Sequence, residues 1–396
     1  MKINAITVEH GTTEAIIADM SNQLQSLGYT PSLVIGYFNT EHSVNALRET
    51  LVNLVDCPFM LTSSCSGALG SDGDKYASKN DLVLFCLEDS EGHYGVGVAS
   101  IGKSDPQQAA QQALLNALEN SGLEYESPAL IWCALPPGEE EAILAGFADI
   151  AGSKIPVFGG SGADNDISGN WQFASREQSG SDLVMVSVLH TSKPLGMSYS
   201  SGYKPSDKTC KVTEAHGREL TSINGQSAAD YYDALTGGSI SAKLEGDDRS
   251  VLAETTLSPL GHEVSISHGV PEYLLSHPSD VTEQGGLSLF TEVSADTEFT
   301  LMEGSVESLA VRAEKVVANA IELLPISSEP VGVLMIYCAG CMLAIGDEVD
   351  TMLGHVRKGI DGIPVVAAYT FGEQGQFLDK QNRHGNLMIS AVVFGS

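Results

Sequence analysis

Short, unbroken apolar runs alternate along this chain with longer stretches whose apolar side chains recur at three- and four-residue spacing, and the alternation comes three times. The short runs are Leu33-Val34-Ile35-Gly36-Tyr37-Phe38, Leu130-Ile131-Trp132-Cys133-Ala134-Leu135 and Val333-Leu334-Met335-Ile336-Tyr337-Cys338. Such runs fit strands covered on both faces. An amphipathic helix is predicted before each. The first carries Ile16, Met20, Leu24 and Leu27 on one stripe; the second runs from Pro106 to Asn120, with Asp105 as its N-cap. The third spans Ser305 to Leu324, with Val306, Leu309, Ala313, Val316, Val317, Ala320 and Ile321 aligned. After each run comes a shorter helix, marked by Val44, Leu47, Leu51 and Val55, by Glu139 to Ala151, and by Val349, Met352, Leu353 and Val356. A further strand follows (59–61, 155–158, 363–366), then a small-residue loop, then a closing strand (82–87, 183–189, 387–394).

Repetition at a long period marks duplicated units that bury a shared core. The expected class is α/β: repeated β-α-β-α-β-β units forming mixed sheets covered by helices, with a strand-rich insert. Two units fall within 1–195, the insert within 196–297 and the third unit within 298–396. In the insert, Thr209–Glu214 and Arg218–Ile223 read as a hairpin, with a short helix from Ala228 to Leu235.

Composition narrows the function. At 396 residues the chain exceeds a single core. A net charge of −31 opposes binding to nucleic acid and to anionic membranes. No run of about 18 apolar residues is present to span a bilayer, and the start, Met1-Lys2-Ile3-Asn4, has no signal-peptide core. Seven cysteines, several in apolar strands, fit reduced buried thiols and a cytoplasmic location.

The small-residue loops are the first site candidates, because glycine lets a ligand approach the backbone. They supply Cys65, Ser66 and Gly67; Gly160, Ser161 and Gly162; and Phe371, Gly372 and Glu373. Glu373 could grip a cationic group or cap a turn. Cys338-Ala339-Gly340-Cys341 is a Cys-x-x-Cys at a strand end, a context that suits thiol exchange. The next helix, however, is expected only near Gly346-Asp347. Cys338 and Gly340 join the site list. Histidines cluster in the insert at His262, His268 and His277, where an imidazole could hold a metal or haem iron. The segment Asn382-Arg383-His384-Gly385-Asn386 reads as a hairpin turn.

Several segments together resemble the FIST proteins, a bacterial sensory family with N- and C-terminal FIST regions. The likeness runs through Leu33–Phe38 and Ser63-Ser64-Cys65-Ser66-Gly67, Lys211–Ala215, Ile223–Ala228, Pro259-Leu260-Gly261 and Gly286–Ser305. It closes on Tyr337-Cys338-Ala339-Gly340, Gly362-Ile363-Pro364-Val365 and Thr370–Gly375. Cys341 stands where the family commonly has an arginine.

The resemblance implies a small-ligand sensor, not an enzyme, reporting to a histidine kinase or a cyclic-dinucleotide enzyme. Stand-alone members of similar length imply haem binding and nitric oxide sensing, with His268 and then His262 as the expected iron ligands. Two alternatives stay open. One is a haem-free module for an amino-acid-like metabolite; the other is a thiol-dependent enzyme using Cys338 or Cys65. A homo-oligomer is compatible with all three.

Overall fold

The computed structural model describes the chain except residues 103, 104, 245, 268 and 361. Unit one runs β1 (Lys2–Val8), α1 (Thr13–Gln25), β2 (Leu33–Phe38), α2 (Val44–Leu54), β3 (Phe59–Ser63), β4 (Ala68–Asp72), β5 (Lys75–Asn80), β6 (Leu82–Glu88). Unit two repeats the order with β7 (His93–Ser100), α3 (Pro106–Ser121), β8 (Leu130–Leu135), α4 (Glu140–Ala151), β9 (Val157–Ser161), β10 (Phe173–Ser175), β11 (Ser179–Gly180), β12 (Leu183–His190). Unit three opens with β13 (Leu195–Ser201) and is then interrupted. The insert holds β14 (Lys204–His216), β15 (Glu219–Ile223), β16 (Gln226–Ser227), α5 (Ala228–Thr236), α6 (Ser241–Leu244), α7 (Leu252–Thr255), β17 (Leu260–Ser267), β18 (Val270–Ser276), β19 (Pro278–Val281), β20 (Leu287–Leu289) and β21 (Glu298–Glu303). Unit three resumes as α8 (Val306–Glu322), β22 (Pro330–Cys338), α9 (Ala339–Ile345), α10 (Val349–Ile360), β23 (Val365–Thr370), β24 (Glu373–Gln376), β25 (Asn382–Gly385) and β26 (Met388–Gly395).

Three six-stranded sheets share one plan. Their orders are β1-β6-β2-β3-β10-β11, β7-β12-β8-β9-β24-β25 and β13-β26-β22-β23-β4-β5. In each, a unit contributes its first, last, second and third strands, and the remaining two are a hairpin from another unit. The hairpin of unit one completes the sheet of unit three through β4 on β23. That of unit two completes unit one through β10 on β3, and that of unit three completes unit two through β24 on β9. The exchange therefore closes a ring. Within each unit the middle pair (β2–β3, β8–β9, β22–β23) is parallel and the remaining pairs are antiparallel, as the mixed-sheet expectation requires.

The apolar runs have a two-sided explanation, because successive strand side chains point to opposite faces. In β2, Leu33, Ile35 and Tyr37 join a core common to the three units, while Val34 and Phe38 pack under α1 and α2. In β8, Leu130, Trp132 and Ala134 face the common core, and Ile131, Cys133 and Leu135 face α3 and α4. Each such large side chain, buried from an exposed reference, contributes roughly 1.5–3 kcal/mol. The insert has its own core around Val212, Ile223, Tyr232, Leu260 and Phe299. Helix starts follow local chemistry: Asp105 accepts from the Gln107 N–H with Pro106 next to it, and Ser305 and Ser308 cap each other at the start of α8.

Two sequence expectations shift. The helix expected near Gly346 begins instead at Ala339, directly after Cys338, because the apolar side of Ala339, Cys341, Met342 and Ile345 is buried there. Residues 382–385 form a paired strand rather than a turn, since β24 offers a ladder from Glu373 to Gln376. All seven cysteines are buried and free. No helix among the described residues is long and apolar enough to cross a membrane.

Candidate functional site

The three small-residue loops meet where the ring closes. The Cys65 N–H donates to the Tyr369 carbonyl (3.0 Å), the Ser161 N–H to the Gly372 carbonyl (2.8 Å) and the Ala163 N–H to the Ser63 carbonyl (3.1 Å). These bonds join units one and three, two and three, and one and two. Glycine is required by close approach: a Cβ on Gly67 would strike the Asn80 carbonyl, and one on Gly372 would strike the His384 ring. Ser66 takes a positive φ of 57° and its N–H donates to Asn165. Cys65, Ser66, Gly67, Gly160, Ser161, Gly162 and Gly372 thus form the seam itself.

Beside the seam lies an apolar cavity of 260 Å³. Its floor is the carboxyl end of two parallel strands, Cys338 of β22 and Thr370 of β23, where ligands of open α/β sheets are expected. Ala339, Gly340 and Leu343 of α9 form one wall, with Phe371 beside them. Leu252, Thr256, His277 and Phe290 from the insert form the roof, and Ile167 from unit two stands at the rim. Of the sequence candidates, His277, Cys338, Gly340 and Phe371 line this space.

The cavity is electrically quiet. No Asp, Glu, Lys or Arg lines it among the described residues. His277 lies within 3.1 Å of the Leu252 carbonyl through Nε2, so that nitrogen carries the proton. Burial pushes the imidazole down to about 4, only partly countered by that bond, and the ring is neutral. Burial and its hydrogen bond with Cys341 drive the Cys338 thiol well above its ordinary range. That is the reverse of the activated thiol expected for exchange chemistry. Cys65 is likewise pushed up by burial. Glu373 sits just outside the lining, fully buried. Burial first, then neighbouring Cys338, raises its carboxyl well above the usual range, and bonds from the Met388 N–H (3.0 Å) and the Thr370 hydroxyl (3.1 Å) offset only part of this. Glu373 is therefore a neutral acid, not a grip for a cation.

Among the described lining residues, Asn386 has both polar side-chain atoms buried and left over. It is 1 % exposed, and neither its amide nitrogen nor its amide oxygen has a protein partner. Its backbone is fixed by the bond from its N–H to the Leu275 carbonyl, and the next residue, Leu387, holds a positive φ of 56° with no glycine to ease it.

Sequence reasoning missed a second constellation. Glu140, at the start of α4, is buried and accepts from the Ser161 hydroxyl (2.7 Å), the Gly138 N–H (2.9 Å) and Arg218 (2.6 Å). Arg218 belongs to the insert and also pairs with Glu141. Burial alone would raise the Glu140 carboxyl, but His384 and Arg218 outweigh it and hold the group below its ordinary range. Glu140, Glu141 and His384 lie close enough to hold a metal, yet the Arg218 guanidinium already supplies the cation. Three glutamates in a row at a helix start were the available signal; their partner lies 77 residues or more away.

Of the expected haem ligands, His262 does not line the cavity. His262 is half-buried on β17, its Nδ1 beside the Glu298 carbonyl (3.1 Å) and its ring edge-on to Phe299. His268 lies outside the described residues. A volume of 260 Å³, below the roughly 300 Å³ at which ligand pockets usually begin, does not admit a porphyrin. A separate open cleft of 820 Å³ between the insert and unit three is large enough, with Met197, Tyr199, Tyr203, Met302 and Met388 on its walls. None of its described lining residues is a histidine.

Fold and site together define an α/β protein of three interlocked units with an apolar hollow at their seam. Residues 32–226 match the FIST N domain and residues 228–376 the FIST C domain. The chain belongs to the FIST family, whose domains are ligand-binding sensors in signalling. A comparison with curated proteins finds no match. Among solved structures, the crystal structure of a cyanuric acid hydrolase from A. caulinodans is similar at a TM-score of 0.37 and 8% identity, covering 99% of this chain and 98% of that one.

Proposed function

We propose that this protein senses a compact small molecule held in the 260 Å³ cavity, and that it works by binding rather than catalysis. The observation that carries this is where the cavity lies. Its walls come from unit two, unit three and the insert at once, so an occupant contacts all three. A ligand bound preferentially by one arrangement of those walls shifts the balance between arrangements by its difference in affinity. The output would be a changed contact with a signalling partner, a histidine kinase or a cyclic-dinucleotide enzyme by the family's character. The neutral, buried Cys338 and Cys65 support binding over thiol catalysis.

A thermal-shift screen of small metabolites tests the reading. A ligand of the native state raises the midpoint, by about 2.7 kcal/mol of stabilisation at a hundredfold excess over Kd. The same hit should lose its effect in Ala344→Trp, which fills the cavity. A hit equally strong in that variant would place binding elsewhere and defeat the proposal.

A haem-based nitric oxide sensor is the second reading. It is favoured by the size and Met/Tyr walls of the open cleft, which is flanked by Ser267 and Val270, the residues around His268 in sequence. Haem would supply a gas-binding iron there. Reconstitution should then give a Soret band that changes in His268→Ala; a spectrum identical to free haem would remove the reading.

A further inference from the structure

Resting on the cavity-sensing reading above, the lining chemistry narrows what the cavity can take. Among the described residues, each polar side chain on the walls but one already makes a bond within the protein. The Thr256 hydroxyl donates to the Leu252 carbonyl, His277 is bonded to the same carbonyl, and the Thr370 hydroxyl donates to Glu373. Charged ligands find no counter-ion, because no acidic or basic side chain lines the space among the described residues. An α-amino acid would have to bury an ammonium and a carboxylate together against alkyl groups and rings, which is strongly unfavourable without partners.

Asn386 is the exception. A carboxamide presents two N–H donors and an oxygen acceptor in one plane. In this site both ends are buried without a partner. Native proteins pair such groups, and those left over call for an explanation. The left-handed backbone at Leu387 is a further cost at the same turn. Strain of this kind persists where surrounding structure over-determines it, and it clusters at ligand sites.

We infer that the cavity binds an uncharged molecule with a hydrogen-bond donor and acceptor side by side on an otherwise apolar frame, read by the Asn386 carboxamide. A primary amide, a lactam edge or an undissociated carboxylic acid has this pattern, and each completes both Asn386 bonds in a planar pair. Size agrees, since a dry cavity of about 150 Å³ already holds benzene, leaving room in 260 Å³ for a ring with a carboxamide.

Four probes of nearly one shape test it: benzamide, benzoate, benzamidinium and ethylbenzene, titrated against the full chain by ligand-observed NMR. Benzamide should bind at least tenfold more tightly than either ion. In Asn386→Leu, benzamide should weaken by tenfold or more while ethylbenzene holds or improves. That variant removes an unpaired buried amide, so its unliganded melting temperature should equal or exceed that of the parent. Asn386→Ala gives the same comparison should leucine not be accommodated. Benzoate or benzamidinium binding as well as benzamide, or benzamide unaffected in both variants, would overturn the inference, and ethylbenzene binding would then leave the sensing cavity standing. If none of the four binds at millimolar concentration, the cavity reading falls and this inference with it.

Discussion

Glu373 and His277 are two titratable side chains that the fold holds neutral, and they pull stability in opposite directions with pH. Glu373, raised by burial, stabilises fully below the ordinary carboxylate value of 4.5, and that contribution is lost as pH rises through its folded value. His277, lowered by burial to about 4 from 6.5, does the reverse: the unfolded chain binds the extra proton between those values, so stability declines as pH falls from 6.5 to 4. A shift of that size corresponds to roughly 3 kcal/mol. Urea unfolding should therefore show His277→Gln gaining on the parent as the pH falls from 6.5 to 4. Glu373→Gln should gain on the parent as the pH is raised from 4 to 8. A difference between His277→Gln and the parent that stays constant through the acid window would contradict the burial of His277. These roles were only half legible. The loop residues at the seam stand out as small and polar, but whether a carboxyl is charged depends on what covers it. Asn386 and His384 looked like turn residues because the β24–β25 hairpin is fixed by its seat on β9 of another unit, which no local pattern shows.

At the level of elements, the alternating glycines of β7, Gly95 and Gly97, are explained by the helix that lies over them. A Cβ on Gly97 would strike the Ala113 carbonyl of α3, one on Gly95 the Ala117 carbonyl, and Gly196 of β13 stands in the same relation to Ala320 of α8. Helix and strand backbones are in direct contact at these points, which no side-chain motion can relieve. Gly97→Ala should thus cost about 1–3 kcal/mol through overpacking. Gly354 is the counter-case. It lies within α10, without positive φ and with open space where a Cβ would go. Gly354→Ala should stabilise by about 0.5–1 kcal/mol by lowering the backbone entropy lost on folding. Denaturant midpoints of the pair decide it: two shifts of the same sign would mean that propensity, not helix–strand contact, governs both sites. The cap at Asp105, by contrast, was readable from sequence, because its bond spans only two residues.

The whole molecule depends on an exchange that the sequence could not reveal. Three units were countable from periodicity, but the pairing of each hairpin with another unit's sheet joins residues as far apart as Ala68 and Ala368, and no local signal encodes it. With each sheet completed by another unit's hairpin, removing one unit exposes an edge on a second and strands a hairpin from the third. The insert, with a core of its own, is tied to unit two by Arg218 on Glu140 and Glu141 and by the Glu292 N–H on Glu141. Fluorescence of Trp132, buried in β8, and far-UV circular dichroism should then report one urea transition with coincident midpoints, as a single cooperative body requires. Arg218→Ala leaves the Glu140 carboxylate buried with its main cation gone, a loss of about 3–5 kcal/mol for a broken buried pair. Because the pair crosses from insert to ring, that variant should lower the midpoint and let the insert open first, separating the circular dichroism transition from that of Trp132. Coincident and unshifted curves in Arg218→Ala would mean that the apolar walls of the cavity, rather than this ion pair, hold the insert against the ring.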